Sequence, residues 1–246
     1  MPPALVHGLK LETWNFPRFP RHSATMSIAR PYPIRCPKCG VEAEVRLYDS
    51  INVGEDPQLR EDLMANRLNA VTCGACAFQY RVDKPLLYVD PARKFAVWWT
   101  PEGAADPAKA DDEYRRMQDS LREAPGAADL GLHLVHERVE LVERIFLLEA
   151  GLDARLVEYV KYLIFSKNAR KVDPQTKRLL FNAQDSDPEN LCFVVQDVES
   201  RRLEGVLKYD RKMLTDLETM FATNPTQPLA ELFPHPYISA RKLMLD

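Results

Sequence analysis

At 246 residues the chain is long enough for two modest domains, and its 46% hydrophobic content supports packed cores rather than a disordered chain. A net charge of -3, with Arg and Lys interspersed among Asp and Glu over residues 27–100, leaves no basic block and demotes nucleic acid as a partner. No apolar run approaches the roughly 20 residues that cross a bilayer, and Ile145-Phe146-Leu147-Leu148-Glu149-Ala150 is interrupted by Glu149, so no membrane association is expected.

Residues 1–25 carry four prolines and little periodicity, and a second methionine, Met26, follows them. A loose N-terminal tail is expected. Trp14, Phe16 and Phe19 leave a second reading open, in which the segment docks as an extended peptide on an apolar groove. The opening Met1-Pro2-Pro3-Ala4-Leu5-Val6-His7 lacks the basic start and apolar core of a signal peptide, which points to a cytoplasmic location.

Residues 26–100 hold two cysteine pairs, Cys36-Pro37-Lys38-Cys39-Gly40 and Cys73-Gly74-Ala75-Cys76. In a C-x-x-C knuckle two thiolates converge on one metal while the turn's backbone N–H groups point at the sulfurs, so two knuckles complete a closed tetrahedron. Gly40 suits the backbone twist such a turn needs. With Cys36, Cys39, Cys73 and Cys76 as ligands, no position remains for water or substrate, and the expected ion is a structural Zn2+. Iron in an all-sulfur site is an alternative with the same ligands. Two disulfides would need an oxidising compartment. A thioredoxin-type pair would need a strand-to-helix turn, which neither Tyr32-Pro33-Ile34-Arg35 nor Leu68-Asn69-Ala70-Val71-Thr72 clearly supplies.

The pairs are separated by more than the roughly 15–20 residues of a plain ribbon. Val41 to Tyr48 alternates apolar and polar like a half-buried strand. Asp56, a candidate N-cap, and Pro57 open a helix over Gln58 to Leu68, with Leu59, Leu63, Met64 and Leu68 at helical spacing. Phe78-Gln79-Tyr80-Arg81-Val82 and Phe95-Ala96-Val97-Trp98-Trp99 read as strands that pair with the first into one small sheet beside the metal. Successive Trp98 and Trp99 point to opposite faces. One of them is therefore either an exposed interaction anchor or covered by the second domain.

Together with Asp49-Ser50-Ile51-Asn52-Val53 and Pro85-Leu86-Leu87-Tyr88-Val89-Asp90-Pro91, the two cysteine pairs give the chain, over about residues 30–165, a pattern that resembles the bacterial CpXC domain. The resemblance implies the four cysteines as metal ligands and implies nothing about substrate or reaction. Gly74 stands where the family's pattern has proline, which loosens that turn and leaves both sulfurs in place.

Residues 101–131 shift to Ala, Asp, Glu and Arg and read as a linker with helical content, Asp112 to Met117 fitting an exposed helix. From 132 to 166 a helical hairpin is expected. Val135, Val139, Val142, Ile145 and Phe146 form one face, Gly151 breaks the helix, and Asp153 caps a second carrying Leu156, Tyr159, Val160, Leu163 and Ile164. Strands at Arg178 to Asn182, Leu191 to Val195 and Leu203 to Tyr209, then an amphipathic helix from Asp210 to Phe221, complete an α+β domain over 132–246.

His133-Leu134-Val135-His136-Glu137 matches neither H-E-x-x-H nor H-x-x-E-H and reads as histidines at the surface or a helix start. Cys192 reads as a small apolar thiol in a buried strand, and His235, between Pro234 and Pro236, as part of a rigid loop or a partner-binding turn. No Gly-rich phosphate loop and no G-x-S-x-G is present. The expected fold class is α+β, a zinc-ribbon-like small β domain with a helical insert followed by a helical hairpin and a second α+β unit. The expected function is a structural-zinc module that binds a protein partner of unknown identity. Two alternatives are an enzyme with a pocket between the two domains, using acids such as Asp49 or Asp90, and a single-stranded nucleic-acid binder working through the aromatic ribbon strands.

Overall fold

Pro31 and Pro33, two residues apart, lack amide donors on the same side of an extended chain, which only an edge strand tolerates. A computed structural model describes residues 4–5, 26–101, 106–223 and 228–245 and has a mixed α+β architecture with three sheets. The chain divides into two compact units, Met1–Arg138 and Val139–Asp246. The first runs β1 (Ala4–Leu5), β2 (Ile28–Arg35), β3 (Glu42–Asn52), α1 (Pro57–Met64), β4 (Ala70–Thr72), β5 (Gln79–Arg81), β6 (Leu86–Asp90), β7 (Phe95–Trp99), α2 (Pro107–Glu123) and β8 (Gly131–Val135). Then come α3 (Arg138–Glu149), α4 (Ala154–Lys167), β9 (Lys177–Asn182), β10 (Asn190–Asp197), β11 (Leu203–Asp210), α5 (Arg211–Ala222), α6 (Pro228–Leu232) and α7 (Ala240–Leu245).

In the first unit a five-stranded sheet has the order β2-β3-β6-β7-β8, with the proline-bearing β2 at one edge. The pairs β2/β3 and β6/β7 are antiparallel, whereas β3/β6 and β7/β8 are parallel. Parallel neighbours need a long crossover. One contains α1, β4 and β5, and the other contains α2. Every residue of β6 and β7 is buried. That explains why Leu86-Leu87-Tyr88-Val89-Asp90 and Phe95-Ala96-Val97-Trp98-Trp99 show no clean alternation.

The single small sheet expected beside the metal is instead two. β3 and β7 share the five-stranded sheet with β6 between them, while β5 belongs to a three-stranded sheet of order β1-β5-β4. Residues 132–135, expected to begin a helix, form β8, because Leu132, Leu134 and Val135 are buried in the sheet and α3 starts only at Arg138. α1 stops at Met64 rather than Leu68, since Asn66 and Asn69 both take positive φ. Its N-cap is Asp56, with Pro57 at the first position, but the Asp56 side chain makes no capping hydrogen bond. In α2, Met117 is buried rather than exposed, and the Tyr114 hydroxyl donates to the Leu132 carbonyl at 2.9 Å. Neither Trp98 nor Trp99 reaches solvent. The Trp99 indole donates to the His136 carbonyl at 3.1 Å, and the Arg138 guanidinium lies 5.7 Å from its ring centroid. Of the expected loose tail only Ala4–Leu5, paired in parallel with β5, is among the described residues. Trp14, Phe16 and Phe19 lie outside them.

The second unit follows its sequence pattern closely. β10 is central between antiparallel β9 and β11. Leu179, Phe181 and Phe193 pack with Val157, Val160 and Leu214 into its core. Gly151, at φ 70°, follows the end of α3. Asp153 accepts from Leu156 N at 2.9 Å and Asp210 from Lys212 N at 2.8 Å, capping α4 and α5 as their positions predict. Cys192 is fully buried, its thiol donating to the Asp185 carbonyl at 3.0 Å.

Candidate metal centre

The β2–β3 hairpin loop carries Cys36 and Cys39, and the β4–β5 loop, inside the crossover from β3 to β6, carries Cys73 and Cys76. The two loops repeat one backbone motif. Gly40 N donates to Cys36 O and Ala77 N to Cys73 O, while Cys36 N donates to Val41 O and Cys73 N to Phe78 O, all at 2.9 Å. Gly40 and Ala77, each four residues after the leading cysteine, have φ of 73° and 54°.

These matched turns bring the four sulfurs within 4.8 Å of one another. Cys36 Sγ lies 3.8 Å from Cys76 Sγ and Cys39 Sγ 3.6 Å from Cys73 Sγ, each contact joining one knuckle to the other. All four cysteines are free thiols. A tetrahedron with metal–sulfur bonds of about 2.3 Å has edges of about 3.8 Å. The four side chains therefore fit a single tetrahedral ion, and they could hold one. Among the described residues no other cluster of three or more potential ligands accompanies them. Cys36 and Cys73 sit in an apolar cluster with Ile34, Leu47, Val71, Tyr80 and Val82, whereas Cys39 is exposed.

The local electrostatics are uneven. Backbone N–H groups of Cys76 and Ala75 hold the Cys73 thiol down to about 6. Val41 N–H pulls on Cys39 in the same direction, but desolvation and hydrogen bonds with the other three sulfurs push it up to about 12. Four crowded thiols cannot all ionise together on backbone donors alone, and a bound divalent cation allows them to.

The remaining sequence candidates are held by other contacts. Asp49, on β3, accepts from the Tyr32 hydroxyl at 2.5 Å and pairs with the Lys84 ammonium and with Arg30 Nε at 3.4 Å. Lys84, which the sequence reading misses, is almost fully buried and also reaches the carbonyls of Tyr48 and Pro85. Burial pushes its pKa down against the pull of Asp49. No spacing rule links Lys84 to Asp49, and with Arg81 and Asp83 just before it the lysine reads as an ordinary polar turn ahead of the apolar run from Pro85. Asp90 accepts from Arg93 N at 3.0 Å and from its guanidinium at 2.8 Å, closing the β6–β7 turn. His133 lies on β8 rather than at a helix start, and His136 is buried beyond it rather than at the surface, with Nδ1 3.2 Å from the Thr100 carbonyl.

No curated protein and no solved structure matches the chain. A family model described as CpXC protein matches residues 34–161, just over half of the chain, from the strand that enters the first knuckle to Lys161 in α4. With both cysteine pairs inside that match, the chain belongs to the CpXC family.

Proposed function

We propose that Cys36, Cys39, Cys73 and Cys76 bind one structural Zn2+, and that the domain it fastens is a protein-interaction module working in the reducing cytoplasm. The observation that carries this reading is the set of cross-knuckle sulfur separations, 3.8 and 3.6 Å, close to the edge of a zinc–thiolate tetrahedron. A bound ion would offset two of the four thiolate charges and tie the β2–β3 hairpin to the β4–β5 arm. Because the unfolded chain has no such site, metal binding contributes directly to folding. A closed set of four sulfurs offers no coordination position for a substrate. Asp49 and Asp90, the acids an enzyme reading would use, are already engaged by Lys84, Tyr32 and Arg93.

The test is metal analysis of protein purified without added zinc, alongside Cys36→Ser. One zinc per chain is expected, with reduced metal content and an earlier unfolding midpoint in the variant. Unchanged folding in a metal-free preparation would refute the structural role. For the interaction role, tagged protein should capture a nuclease-resistant protein partner that Cys36→Ser fails to retain. Binding to single strands that falls steeply with salt would favour the nucleic-acid reading instead.

A further inference from the structure

The two edges of the sheet in the second unit are finished differently. At β9, Phe181 N donates to the buried Glu143 carboxylate of α3 at 2.5 Å. β11 is the opposite edge, and among the described residues no strand pairs with its outer side. Residues 203–206 are all exposed, with Leu203 at 66% and Val206 at 49%. Met213 and Met220, also exposed, lie on α5, the helix that follows. Arg211 N donates to Glu189 O, which fixes the alternation of the antiparallel ladder. Tyr209 and Leu207 turn their backbone groups toward β10, while Val206 and Lys208 turn theirs outward.

An open edge carrying lysine ordinarily deters pairing. Here the charges complement one another when the strand is set against itself. Antiparallel pairing centred on Val206 places Leu203 opposite Tyr209, Glu204 opposite Lys208 and Gly205 opposite Leu207. A Cβ on Gly205 would meet nothing within 4 Å, so there is room for the facing leucine. A register centred one residue later, on Leu207, would set the carboxylates of Glu204 and Asp210 against each other and Val206 against Lys208. Charge therefore selects one register. Glu204 already holds Lys177 Nζ at 2.7 Å, yet its side chain remains 40% exposed. A β-bulge opposite Val195 and Gln196 interrupts the ladder beside Glu204, so the open edge is short and the association modest.

We propose that β11 is a homodimer edge, where a second copy of this chain pairs antiparallel with Val206 on the two-fold axis and joins two three-stranded sheets into one of six strands.

The test is sedimentation velocity of the full chain over a wide concentration range. Wild type is expected to show a reversible monomer–dimer equilibrium. Glu204→Lys and Lys208→Glu each place like charges opposite one another at both ends of the ladder, and each should weaken the dimer about tenfold or more. An equimolar mixture of the two should regain association, because the heterodimer restores both ion pairs. Circular dichroism checks that each variant is folded. Val206→Lys, at an exposed position, places two ammonium groups together on the axis and should abolish the dimer without relying on the charge pairs. A wild type that is monomeric at every concentration would overturn the proposal and leave the edge to a different chain. So would variants that dimerise like wild type, or folded variants whose mixture stays monomeric.

Discussion

Ala77 occupies in the second knuckle the position Gly40 occupies in the first, both in the left-handed region. A non-glycine residue there costs about 1–2 kcal/mol, and glycine gives back about 0.5–1 kcal/mol through its greater freedom in the unfolded chain. A Cβ on Gly40 would meet nothing within 4 Å, so conformation alone decides the outcome at that position. Ala77→Gly should raise stability and Gly40→Ala should lower it, each by about 0.5–1 kcal/mol, read from denaturant unfolding of the protein with the proposed zinc supplied. A second residue-level prediction concerns the buried group in which Lys161 Nζ lies 2.7 Å from both Glu143 and Glu158. Burial raises the Glu143 pKa against the opposing pull of Lys161. A folded value above the unfolded one of about 4.3 means the native state holds its proton longer. The resulting stabilisation is present in acid and is lost as pH rises from there through the folded value. Burial pulls the Lys161 pKa down, but the two carboxylates outweigh it and leave it raised, so its own contribution is lost only above about 10.4, outside this window. Glu143→Gln keeps an acceptor for Phe181 N and removes the titration. Its stability relative to wild type should increase as pH rises through the window, measured by urea unfolding at a series of pH values, and a constant difference would contradict the assignment.

Lys84 connects elements that the chain order keeps apart. Leaving β5, it reaches Asp49 and the Tyr48 carbonyl on β3, while Tyr32 on β2 donates to the same carboxylate and its ring lies 4.9 Å from the ammonium. Lys84→Met would leave Asp49 charged at 1% exposure with the Tyr32 hydroxyl and the partly exposed Arg30 as its remaining partners, at a cost of about 3–5 kcal/mol. Adding Asp49→Asn should recover much of that loss, and a double-mutant cycle by chemical denaturation measures the coupling. Elements with one wet face are legible in the sequence. In the second unit β11 alternates toward its end, β9 and β10 stand out as apolar runs bounded by polar turns, and Gly151, Asp153 and Asp210 mark the helix boundaries. β2 is obscured because Pro31 and Pro33 read as breaks until the strand is known to lie at an edge. β6 is obscured because burial on both faces removes alternation. β8 is obscured because Val135 continues the apolar spacing of α3 from Val139 onward. The Lys84 contact is invisible for a different reason, since it depends on sheet order rather than on local sequence.

At the scale of the whole molecule, the C-x-x-C spacing makes the candidate ligands legible, while the crossover that brings the second pair to the first is a tertiary fact. Division into two units gives metal removal a specific expected signature. Trp98 and Trp99, the tryptophans among the described residues, belong to Met1–Arg138, and no tryptophan falls within 139–246, whereas helices and strands occur in both units. Tryptophan fluorescence therefore follows the unit that carries the cysteines, and far-UV circular dichroism follows both. Chelation of the proposed zinc removes a cross-link between the β2–β3 hairpin and the β4–β5 arm, lowering the stability of the first unit and leaving the α4–β10 core of the second without a direct loss. Denaturant titration with and without chelator should move the fluorescence midpoint to lower denaturant, while the dichroism trace splits and keeps a later phase at its original position. If both signals shifted together, the two units would be one cooperative body stabilised by the metal. If neither moved, the cysteines would have no structural metal to lose.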